Sequence, residues 1–154
     1  MVLLLAVLWA LPLAGTGPAS SSLVPLVSHR RADGALEARL DKIAGAFRDG
    51  DATALRASFS AGGKVRVELH DLPQGEGSYA AGQLQVIFGR LFGDSRTRAF
   101  DFPREDVKLS KGTAFARGRW VRRQVQGEEI VETLTFTLRD ESGDWRILEI
   151  RSSR

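Results

Sequence analysis

His70 and Asp71 stand side by side at the end of the alternating run "KVRVELHD", and no other pair in the chain is better suited to proton transfer. An imidazole titrates near neutral pH, and an adjacent carboxylate can orient one. In a strand, though, successive side chains point to opposite faces, so the two residues meet only if the chain turns between them. Tyr79, the single tyrosine, follows soon after and adds a phenol to the set. His70 or Asp71 working with Tyr79 is the arrangement that a small isomerase, cyclase or hydrolase would need. Asp101 lies between Phe100 and Phe102, and alternation turns it away from those rings, toward solvent.

A second set lies on the two longest strand patterns. Arg122 and Glu132 come opposite each other if the chain turns about Gly127, which makes either a cross-strand ion pair or a polar clamp for a carboxylate or phosphate. On the other side of those strands Arg117, Arg119 and Arg123 alternate against Thr133, Thr135 and Thr137 and form a basic stripe.

Several chemistries are excluded. There is no cysteine, so disulfides, thiol catalysis and thiolate metal sites are absent, and with only two histidines no transition-metal site is expected. No nucleotide-binding glycine loop, zinc-protease motif or nucleophile elbow occurs, and no cofactor is expected. A net charge of +3 is mildly basic, but its lysines and arginines are scattered without interleaved aromatics, which argues against nucleic acid as a partner.

The elements that position these residues read clearly. Leu36, Leu40, Ile43 and Phe47 recur at helical spacing from Asp33 onward, and Gly50 sits where a left-handed terminal residue is wanted. Asp51 then caps a second short helix carrying Leu55 and Phe59, stopped by Gly62 and Gly63. "KVRVELH" predicts a half-buried strand with Val65, Val67 and Leu69 inward, and "DLPQGEG" a turn. Ser78 is expected to cap a third helix, "YAAGQLQVIFGRLFG", with Leu84, Phe88 and Leu91 facing in. The remainder is β: "TRAFDF", "DVKLS", "TAFARGRWVRRQV", "EIVETLTFTLR" and "DWRILEIR". Helices followed by strands with short turns predict an α+β domain in which three N-terminal-half helices pack on a curved antiparallel sheet.

Centring a turn on Gly127 pairs Ala116, Gly118, Trp120, Arg122 and Gln124 with Leu138, Phe136, Leu134, Glu132 and Ile130. A slip of one residue would mix polar and apolar side chains on both faces. The helix-facing side is then Ala116, Gly118, Trp120, Leu134, Phe136 and Leu138, joined by Leu148 and Ile150, while Trp145 and Ile147 point out. Trp120, Leu134 and Phe136 line a pocket for a small hydrophobic ligand, or fill the core, with Arg122 and Glu132 at its mouth. The outer face, with Val121, Trp145 and Ile147, suits a homodimer packed sheet to sheet.

At the start, "MVLLLAVLWALPLAG" has the length of a secretory signal's apolar segment, and small residues around Ala19 suit cleavage. The expected organisation is a signal peptide at 1–19, a flexible linker at 20–32 and one domain at 33–154. Export to the periplasm or medium follows, with no stable membrane span after cleavage.

The order helix, corner, helix, strand, helix and long curved sheet resembles the nuclear transport factor 2-like superfamily, the cystatin-like cone shared by ketosteroid isomerases and polyketide cyclases. The residues that carry the resemblance are "AFRDGDATALRASFS" and the closing "TFTLRDESGDWRILEIR". The resemblance implies a fold over about residues 33–152. It also implies that an enzyme of this type would carry its acid, base or tyrosine inside the cone, where this chain places Ala, Gly, Trp, Leu and Phe. Uncharacterised secreted bacterial members are the nearest in character. Non-catalytic binding of a small apolar ligand or a protein partner is therefore the expected function. An acid–base enzyme at the cone mouth and a dimeric interaction module are the alternatives.

Overall fold

The computed structural model describes residues 24–153 except 71, 73 and 74, with side chains described from Asp33 onward. The expected signal peptide and Asp71 lie outside the described residues. Helix α1 spans Val24–Asp49, so its first turns occupy the segment expected to be a flexible linker. Leu36, Leu40, Ile43 and Phe47 share its buried face, as their spacing predicts. Gly50 then takes a φ of +67°, a left-handed conformation that glycine adopts without steric cost. Asp51 restarts the chain: its carboxylate accepts from the backbone N–H groups of Thr53 and Ala54, both at 2.9 Å, and opens α2, Ala52–Arg56.

The helix–corner–helix reading of the sequence is correct, but α2 is shorter than expected. Phe59 lies beyond it and bridges to Ile147 of the last strand, where the Ile147 N–H donates to the Ser58 carbonyl at 2.8 Å. β1, Lys64–Glu68, turns Val65 and Val67 fully inward. β2, Gly77–Ala80, was expected to be turn and helix start. Ser78 is thus a strand residue and not a cap. The third helix, α3, covers Ala81–Asp94, and the Gln83 side chain accepts from the Ala80 N–H at its start.

Five more strands follow: β3 (Ser95–Asp101), β4 (Val107–Ser110), β5 (Thr113–Gln124), β6 (Glu129–Glu141) and β7 (Asp144–Ser153). The sheet runs β2-β1-β7-β6-β5-β3, with β4 also paired to β5. It is curved and unclosed, and mixed where an antiparallel one was expected, because β1 joins β7 in parallel. The parallel run begins before β1, where Phe59 bridges to Ile147 in the same direction.

Two details of register differ from expectation. β5 and β6 pair Ala116 with Phe136, Gly118 with Leu134 and Trp120 with Glu132, two residues away from the predicted pairing. The turn is centred one residue before Gly127, with the Gln124 N–H donating to the Glu128 carbonyl at 2.8 Å. An even shift keeps every side chain on its face. In β7, Thr137 pairs with Glu149 but Leu138 pairs with Ile147, which leaves Leu148 as a bulge residue. One extra residue inverts the alternation before it. Trp145 and Ile147, expected outside, are therefore buried at 1% and 0% exposure, and Leu148 is only half-buried.

Candidate functional site

The inside of the cone is built by α1 and α3 packing aromatic side chains onto β3, β5 and β6. Phe47 stacks on Phe100 with ring centres 4.4 Å apart, and meets Trp120 edge-on at 5.3 Å and Phe136 at 5.9 Å. Phe102 closes on Phe136 at 5.2 Å. Gly118 lets these rings approach: a Cβ there would lie 2.5 Å from the Phe100 ring. Edge-to-face pairs of this kind each add about 0.5–1.5 kcal/mol beyond the area they bury. Trp120, Leu134 and Phe136 are thus together, as expected, each within a continuous apolar cluster.

Arg122 and Glu132 also come together, diagonally and not directly opposite, with Nη2 to Oε2 at 3.1 Å. Each side chain is only 3% exposed. The Arg122 guanidinium also lies 4.6 Å from the centre of the Trp120 ring, whose indole N–H donates to Thr97 at 3.0 Å. A guanidinium offers donors and no acceptor, so this group can hold an anion or a ring face.

The acid–base candidates are dispersed. His70 is exposed, and its Nδ1 lies 2.6 Å from Ser152 Oγ, which also accepts from the His70 backbone N–H at 3.0 Å. Tyr79 stands on β2 opposite Val65, well back along β1 from His70, and its hydroxyl donates to the Gly75 carbonyl at 2.9 Å. The two side chains hold separate local contacts and share no reacting centre. Asp101 is exposed, as alternation requires.

Among the described residues Glu68 and Arg66 perturb each other's ionisation. The hydrogen bond from Arg66, with the charges of Arg151 and Arg66, holds the Glu68 carboxyl below the usual carboxylate range. This cluster lies at the β1–β7 seam on the outer face and ties two strands together.

Sequence reasoning missed a groove of about 430 Å³ between α1 and the β3–β4 corner. Leu36, Leu40 and Ala44 from α1 and Phe102 and Val107 from the sheet side form its apolar floor. Its rim carries Asp33, Glu37, Asp41 and Asp101 against Arg48 and Arg104, and one Arg104–Glu37 contact spans it at 3.8 Å. The signal was present but dispersed, because the i, i+4 acids of α1 acquire a rim only when the distant "DFPRED" corner folds against them. The groove and the His70–Tyr79 region belong to opposite edges of the sheet.

No family model matches the chain, and no curated protein does. Solved structures do. A DUF4783 family protein from Bacteroides ovatus matches at 14% identity and a TM-score of 0.58, covering 72% of this chain and 90% of its own. An NTF-2 like protein of unknown function from Shewanella oneidensis gives 15% and 0.61, with 79% and 98% covered. A protein of unknown function from Mycobacterium tuberculosis gives 13% and 0.59, with 83% and 76% covered. The chain has the nuclear transport factor 2-like fold. At these identities the likeness carries the architecture and no activity.

Proposed function

We propose that this chain is a non-catalytic binding domain that takes a small amphipathic molecule, apolar in body and cationic at one end, in the groove between α1 and the β3–β4 corner. The observation that carries the reading is the apolar floor framed by more carboxylates than guanidinium groups. Arg104 is engaged by Glu37, which leaves Asp33, Asp41 and Asp101 against Arg48 alone, a rim that is negative on balance. Trp120, Leu134 and Phe136 serve as the packed wall behind the groove, and the buried Arg122–Glu132 pair fixes β5 against β6. The acid–base alternative gains nothing from the geometry, since Tyr79 and His70 are held apart. The leader-like start supports export, so the ligand is one met outside the cytoplasm; N-terminal sequencing of the mature protein, with cleavage after Ala19 expected, checks that part.

The test is a titration followed by backbone amide spectra with three probes of equal chain length: an alkyltrimethylammonium, an alkanol and an alkyl sulfate, each below its micelle concentration. Saturable shifts are expected at Leu40, Ala44, Phe102 and Val107, strongest for the ammonium. Asp41→Asn with Asp101→Asn should weaken that probe by roughly tenfold and leave the alkanol unchanged, as two exposed charges acting together allow. Shifts centred on Trp120 or Tyr79, or no saturable binding, would overturn the reading.

A further inference from the structure

We infer that the outer face of the sheet along β5 docks on an anionic phospholipid surface. Arg117, Arg119 and Arg123 project from alternate positions of β5 on the side away from the helices, and Arg96 of β3 pairs with Arg123 in register. All four are exposed. Among the described residues none of the four enters an ion pair, whereas Arg66 and Arg151, farther across the same face, are committed to Glu68. Asp101 and Glu129 stand at register positions beside Arg119 and Arg123, so the face retains a positive excess. Between the arginines and β7 lie the uncharged Thr133 and Thr135.

Charge alone does not choose the partner. The same face presents Phe115 and Val131 at 45% and 46% exposure, large apolar side chains that no described element covers. A surface that offers phosphates and, just beneath them, acyl chains satisfies both features at once. A soluble acidic protein or glycan answers the cations and leaves Val131 in water. A second copy of the chain would set these arginines against their own kind. The bulge that draws Trp145 and Ile147 inside also removes much of the apolar area that a sheet-to-sheet homodimer would need.

The experiment is co-sedimentation of the full chain with vesicles of phosphatidylcholine alone and with vesicles that also carry phosphatidylglycerol, at low and high salt. The wild type should favour the anionic vesicles, and added salt should erase the preference. Arg117→Gln/Arg119→Gln/Arg123→Gln should lower partitioning onto anionic vesicles roughly a hundredfold, while binding to neutral vesicles, including any contribution from the apolar start, stays as in the wild type. A urea midpoint equal to the wild type's shows that the variant is folded; should it not fold, Arg119→Gln alone carries the test with an expected drop of roughly fivefold. Equal binding to both vesicle types overturns the inference, as does a folded variant that binds like the wild type. Retention on heparin without binding to the anionic vesicles also overturns it and assigns the face to a soluble polyanion.

Discussion

Arg122 and Glu132 hold each other inside the cone, where an ion pair gains little over apolar packing but leaves a costly charge if one member is lost. Arg122→Met or Glu132→Gln alone should therefore destabilise by about 3–5 kcal/mol in urea unfolding, and replacing both with apolar residues should recover most of it. Gly118 makes the opposite demand, for absence of volume: Gly118→Ala drives a methyl group against Phe100 and should cost about 1–3 kcal/mol. At the outer seam the effect depends on pH. Glu68 has a folded-state pKa held down first by the Arg66 hydrogen bond, so its contribution is present above the unfolded carboxylate value and is lost as pH falls through the folded one. The stability difference between the wild type and Glu68→Gln should thus be widest at neutral pH and close on acidification, read from urea midpoints across the acid range.

Elements were legible where a pattern and a stop signal coincided. The Gly50–Asp51 corner is one such place, since a left-handed glycine and a capping carboxylate are both written in the sequence; Gly50→Ala should cost about 1 kcal/mol by thermal melting. Face assignment on β5 and β6 was legible because alternation survives any even shift, whereas the pairing itself depends on which residues form the turn, and "QVQGEE" permits more than one choice. β2 was not legible because Gly77 closes a turn-like run and Ser78 before "YAAGQL" reads as a helix cap until β1 pairs with them. The β7 bulge left only a faint mark: "DWRILEIR" alternates until the adjacent Ile147 and Leu148 shift its phase, and a shift of one residue does not say which half faces in; the apolar surface of Trp145 and Ile147, too large to leave in water, makes a bulge worth its lost pairing. Deleting Leu148 restores plain alternation with Trp145, Ile147 and Ile150 on one face. That variant should fold cooperatively with a loss of no more than about 2 kcal/mol, whereas in a regular strand the same deletion would turn the tryptophan outward.

For the whole molecule, the division of labour follows from what fills the cone. Phe47, Phe100, Trp120 and Phe136 fill the inside of the cone with apolar rings, and the two binding features proposed above lie outside that core, in the α1 groove and on the outer sheet face. The groove could not be assembled from the sequence because its walls are far apart in the chain, and periodicity reports on one element at a time. Solvent access to the Trp120 indole N–H decides most directly whether the interior is closed. Trp120 is 1% exposed and its N–H donates to half-buried Thr97, so it should exchange with deuterium only through global unfolding, with protection falling alongside the Phe136 amide as denaturant is added. Rapid exchange insensitive to denaturant would show that water enters the cone and would return the binding site to its interior.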